Sequence, residues 1–106
     1  MISEINVRQL CEMVKNGTAE LVDVREAEEL ARMGAIEATK HWPLSSFNIR
    51  EHEVSKTKPT IFYCQSGLRS LKAAEVAAAW TEQNVYSLRG GFLAYLAERK
   101  SERVKA

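Results

Sequence analysis

Apolar positions along the chain switch repeatedly between a helical and a strand rhythm. Val7, Leu10, Cys11 and Val14 fall on one helical face, Asn6 with Gln9 three residues on has the form of a capping box, and Asn16-Gly17 supplies a stop. That spacing predicts a first helix. The short run 19–24 reads as a buried strand, and the acid-started segment 26–33 as a helix that Gly34 closes. A strand is expected around 41–44, where Pro43 marks its end or an edge, followed by a helix from 45 to about 54. Residues 60–64 form the cleanest strand. The alanine-rich run 71–80 reads as a helix whose small side chains let it pack closely on a sheet. Residues 85–88 give another strand, Gly90-Gly91 a turn, and 92–100 a final helix with Phe92, Leu93 and Leu96 available for the core. Strands alternating with helices at these intervals imply an α/β fold with a parallel sheet covered on both faces, in which ligands bind beyond the carboxyl ends of the strands.

Composition narrows the picture further. At 106 residues and 45% hydrophobic content, the chain suits one core and is read as a single domain over 1–106. Fifteen Lys and Arg against 14 Asp and Glu, interspersed up to the tail, create no field suited to a nucleic-acid partner. Neither a leader-like N-terminus nor an apolar run approaching ~18 residues is present, so no membrane partner is expected and the cytoplasm is the expected compartment. Two cysteines, Cys11 and Cys64, are too few for a disulfide scaffold. Cys11 reads as a small hydrophobe of the core. His41 and His52 lack partners at metal-ligand spacing, so no metal and no organic cofactor are expected. Trp42, Trp80, Phe62 and Phe92 read as core or pocket-rim aromatics.

The candidate chemistry lies in Cys64-Gln65-Ser66-Gly67-Leu68-Arg69-Ser70, between the strand at 60–64 and the alanine-rich helix. Unpaired amides at a helix start favour a thiolate or an anion in front of them. Gly67 permits the positive backbone angles that let successive N–H groups converge. A buried, inert cysteine is the plain alternative, but the flanking elements and the place at the carboxyl edge of the sheet argue for a nucleophile. Such a cradle would stabilise a thiolate and the terminal sulfur of a persulfide alike.

With these motifs in view, the chain resembles a single-domain rhodanese, a sulfurtransferase of the rhodanese superfamily. The resemblance rests on Leu21-Val22-Asp23-Val24-Arg25, on Gly34-Ala35-Ile36 leading to Pro43-Leu44, on the loop from Cys64 to Ser70, and on Leu88-Arg89-Gly90-Gly91-Phe92. It implies an open parallel sheet of about five strands flanked by helices on both faces. It also implies double displacement: Cys64 takes a sulfane sulfur from a small donor such as thiosulfate or a related persulfide or thiosulfonate, then passes it to a thiol, cyanide or a sulfur-relay protein. Six residues from Cys64 to Arg69 resemble the sulfur-transferring members, whereas related phosphatases have one residue more and usually a His where Tyr63 stands. The family's usual Gly-His-Ile-Pro-Gly-Ala appears as Gly34-Ala35-Ile36-Glu37-Ala38-Thr39, and Gln65 stands where many thiosulfate-using members have Arg. These departures keep a second reading open, a partner-specific persulfide relay or redox-sensing module with little small-molecule turnover.

Cys64 is thus the catalytic candidate, and Gln65, Ser66, Gly67, Leu68, Arg69 and Ser70 form the candidate substrate cradle. Arg69 either aims at an anionic donor or braces the loop against Asp23 or Glu29. Asp23 and Arg25, at a strand end, read as supporting residues, with a structural pair favoured over a ligand site. Ser66 and Ser70 near a helix start read first as caps.

Overall fold

The computed structural model describes residues 2–105, with side chains described over 2–100. Five strands, β1 (Ile2–Ile5), β2 (Glu20–Asp23), β3 (Lys40–His41), β4 (Thr60–Tyr63) and β5 (Val85–Leu88), form one sheet in the order β1-β5-β4-β2-β3. Every pairing is parallel. Four helices, α1 (Val7–Lys15), α2 (Ala27–Met33), α3 (Leu68–Ala77) and α4 (Gly91–Lys105), connect or follow the strands. The fold is the five-stranded α/β architecture that the resemblance implied.

Two clusters cover the two faces of the sheet, because successive strand residues point to opposite sides. Val22, Phe62 and Cys64 join Val24, Trp42, Phe47, Ala73, Ala74 and Ala77 on one face. Leu21, Ile61 and Tyr63 join Ile5, Val7, Leu10, Leu88 and Phe92 on the other. Alanines bring α3 close to β4 and β5, so the helix that starts beside Cys64 is held by a dry, tightly packed contact. Trp42 stacks on Phe47 with ring centroids 4.5 Å apart and closes the edge of that face.

Several expectations are corrected. The residue pattern gave no sign of β1, three of whose four residues are exposed; its identity as a strand comes from pairing with β5. Segment 45–54 is not an α-helix but two 3-10 segments, Leu44–Ile49 and Glu51–Glu53, interrupted at Arg50. The strand expected at 41–44 is only Lys40–His41, and Pro43 stands ahead of the 3-10 turn with φ near its ring-locked value. The alanine helix starts earlier, at Leu68, and gives way to a 3-10 turn at Ala78–Trp80. Cys11 is exposed rather than in the core, since the buried stripe of α1 centres on Val7 and Leu10 and leaves Cys11 on its margin. Leu93, Leu96 and Trp80 are likewise exposed. Among the described residues no helix is long and apolar enough to cross a membrane.

Candidate active site

β4 runs through the middle of the sheet, with β5 on one side and β2 on the other. Cys64 follows its last residue and is 1% exposed. The chain then turns sharply at Gly67, whose φ of +112° lies in the left-handed region, and enters α3. This turn aims backbone amides at the sulfur. Gly67 N donates to Cys64 Sγ at 3.1 Å and Ser70 N at 3.4 Å, while Ser70 Oγ lies 3.5 Å from it. Ser70 is itself fixed, donating to the Gly67 carbonyl at 3.1 Å and sharing a 2.7 Å hydrogen bond with Ser87 Oγ of β5. Burial pushes the Cys64 thiol up, but the Ser70 hydroxyl and the amides of Ser70, Gly67 and Ser66 outweigh it, and the thiol ionises below its ordinary range.

The loop's carbonyls are held from behind. Cys64 O accepts from Phe92 N at 2.8 Å and Gln65 O from Leu93 N at 3.2 Å, so the first turn of α4 caps the nucleophile loop. Gly91 makes this approach possible: with φ +60°, a Cβ there would lie 2.5 Å from both carbonyl oxygens. With its carbonyls turned outward to α4, the loop presents its amides inward.

Asp23 and Arg25 form a buried wall beside the loop. Arg25 Nη2 donates to Asp23 Oδ2 at 2.7 Å and to the Gly34 carbonyl at 2.8 Å, its Nη1 lies 3.5 Å from Gln65 Oε1, and the guanidinium sits 4.3 Å from the Phe92 ring centroid. Gln65 also donates to Met33 Sδ at 3.0 Å, so its side chain is turned toward the end of α2. Tyr63, on the opposite face from Cys64, reaches the 34–39 segment: Ile36 N donates to its hydroxyl at 3.1 Å, and Thr39 Oγ1 is 3.0 Å away. Burial pushes that hydroxyl up to about 12. The hydroxyl thus ties down a segment that lacks the family's usual Pro and second Gly.

Arg69 takes the bracing position of the two open to it. Its Nη1 and Nη2 each donate to one Glu29 carboxylate oxygen at 2.7 Å, a fork-to-fork pair. The Arg69 hydrogen bonds hold the Glu29 carboxyl down at about 2. Ser66 is exposed and contributes its amide, and Leu68 points outward at 80% exposure. Cys11 lies on the exposed margin of α1, away from this constellation. Among the described residues no group of three His, Cys, Asp or Glu is placed to hold a metal ion. The groove lined by Ile5, Gln9, Met13 and Tyr86 includes no residue of the loop. Sequence reasoning missed Ser87, the Tyr63 hydroxyl and the packing role of Gly91. A serine inside a buried strand and paired glycines ahead of a helix were the available signals.

The chain has known relatives. Residues 6–98 match the family model of the rhodanese-like domain. The chain is 38% identical over 74 residues to the uncharacterized protein YqhL of Bacillus subtilis, a match covering 70% of this chain and 58% of that one. It is 31% identical over 96 residues to a sulfurtransferase of Allochromatium vinosum, covering 90% of this chain and 89% of the relative. The crystal structure of a rhodanese-related protein from Thermoplasma volcanium superposes with a TM-score of 0.81 at 27% identity, over 91% of this chain and 92% of that one.

Proposed function

The chain belongs to the rhodanese-like domain family, and from that premise we propose that it moves a sulfane sulfur from thiosulfate, or from a related persulfide or thiosulfonate donor, to a thiophilic acceptor through a persulfide on Cys64. The observation that carries this reading is the pair of amides, Gly67 N and Ser70 N, converging on Cys64 Sγ. In the first half-reaction the Cys64 thiolate attacks the outer sulfur of the donor. A sulfur–sulfur bond forms at Sγ as the donor's own breaks, and the electron pair leaves on sulfite from thiosulfate, on a sulfinate from a thiosulfonate or on a thiolate from a persulfide. In the second, a thiol or cyanide takes the outer sulfur and returns Cys64 to its thiolate. The cradle serves both states, since the thiolate carries its negative charge on Sγ and the persulfide carries it one bond further out, on a terminal sulfur within the same loop of amides. Because the cradle lowers the pH at which the Cys64 thiol ionises, no separate general base is assigned to it.

A second reading, delivery by one specific partner protein, is favoured by one feature: the Gln65 side chain is occupied by Arg25 and Met33, so the position after the nucleophile supplies no cation for a small anionic donor. Intact mass spectrometry after thiosulfate and then after cyanide, with Cys64→Ser alongside, tests the main reading. One added sulfur that is absent in the variant and removed by cyanide is the expected result. No mass change, although Cys64 alkylates readily, would reject thiosulfate as donor and leave the partner-delivered relay.

A further inference from the structure

We propose that Glu29 selects the sulfur donor: by occupying both arms of the Arg69 guanidinium it withholds that cation from doubly charged donors and favours alkyl persulfides, which bring one charge or none. The inference rests on the sulfurtransferase reading and names the donor class of the same site. Arg69 is near enough to Cys64 for their charges to interact, and at 36% side-chain exposure it can be reached from solvent. Both its terminal nitrogens are nevertheless spent on Glu29, at 2.7 Å each. The other guanidinium beside the loop, Arg25, is fully buried and committed to Asp23 and the Gly34 carbonyl. Glu26 adds a second carboxylate acting on Arg69 and itself accepts from the Ser45 hydroxyl at 2.7 Å. Two guanidiniums thus face three carboxylates before the thiolate is counted.

A thiosulfate dianion entering this mouth meets a net negative surround, and its oxygens compete with Glu29 for the same planar fork of donors. An alkyl persulfide has no such requirement. Its terminal sulfur is attacked by the Cys64 thiolate, the Sγ–S bond forms, and the donor's S–S bond breaks with the electron pair leaving on the alkyl thiolate. Exposed apolar side chains are at hand for its organic group, Leu68 at 80% exposure following Gly67 and Leu93 at 47% on α4, whose amide donates to the Gln65 carbonyl. Glu29 acts through Arg69, as a positioning residue rather than a catalytic one.

The test compares kcat/KM for thiosulfate with that for a small alkyl persulfide, cyanide being the acceptor for both, in the wild type, Glu29→Gln and the double variant Glu29→Gln/Arg69→Gln. In Glu29→Gln the thiosulfate-to-persulfide ratio should rise roughly three- to tenfold, mainly through KM for thiosulfate, and the gain should fade as salt is added. In the double variant Glu29→Gln/Arg69→Gln, which removes the pair without changing net charge, the ratio should stay within about twofold of wild type, since the guanidinium was already masked. An unchanged or lower ratio in Glu29→Gln would overturn the proposal. If that variant fails to fold, a roughly tenfold fall of the ratio in the double variant would overturn it, by showing that Arg69 holds thiosulfate despite Glu29. Failure of the sulfurtransferase reading looks different: neither donor would add sulfur to Cys64 in the wild type.

Discussion

Ser87 of β5 holds the Ser70 hydroxyl at 2.7 Å, and Ser70 in turn faces the Cys64 sulfur through both its hydroxyl and its amide. A neighbouring strand thereby takes part in setting the ionisation of the nucleophile. Ser70→Ala removes one bond to the thiolate and should move the pH midpoint of Cys64 alkylation upward, slowing alkylation near neutral pH. A thiol whose folded value is depressed adds stability that is complete above the unfolded value of 9.0 and is lost as pH falls through the folded one. Alkylation rate against pH, for wild type and variant, checks the first expectation.

Cys64→Ser should abolish sulfur transfer, while Cys11→Ser, on the exposed margin of α1, should retain more than half of it. Thiocyanate formation from thiosulfate and cyanide is the measurement; equal loss in both would remove Cys64 from its assigned role.

Gly91→Ala should destabilise the fold by about 2–4 kcal/mol, since a Cβ on a left-handed residue strains the backbone and here also meets two carbonyl oxygens. Relief requires α4 to withdraw from the loop, so Cys64 alkylation should slow as well. Urea unfolding together with alkylation kinetics separates the two effects.

Asp23→Asn leaves the buried Arg25 charge without its carboxylate partner. Breaking such a pair costs about 3–5 kcal/mol, and chemical denaturation should show a loss of that order. A loss below about 1 kcal/mol would mean that the wall is rigid without the charge pair.

The Arg69–Glu29 pair should stabilise the fold above pH 4.5 and cease to do so as pH falls toward 2, because the Arg69 hydrogen bonds depress the Glu29 carboxyl from 4.5 to about 2. Both side chains are partly exposed, so the contribution is modest and screened by salt. Acid unfolding curves of wild type and Arg69→Gln should converge across that window.

The capping box at Asn6 and Gln9, the buried strand β4 and the strand–loop–helix passage at Cys64 were all legible, because each is set by residues within a few positions of one another. What stayed hidden depends on distant partners. β1 has only one buried residue, Ile5, and becomes a strand by borrowing the edge of β5. The segment 44–53 carries apolar residues at spacings that fit either helix type, and the packing of Phe47 under Trp42 accompanies the tighter one. At the site, the choice of Glu29 over Asp23 for Arg69 was beyond the sequence: Asp23 is consumed by Arg25, a fact that only the folded sheet reveals. Gly91 looked like part of a turn because the carbonyls it must clear belong to residues far back in the chain.

The hydrogen bonds from Phe92 and Leu93 to the Cys64 and Gln65 carbonyls come from the last helix. During synthesis on a ribosome, Cys64 emerges well before that helix does, and until α4 docks the loop has no outward hold on its carbonyls. The reactivity of the sulfur is thereby tied to the docking of α4, a helix that the ribosome delivers more than twenty residues after the nucleophile itself.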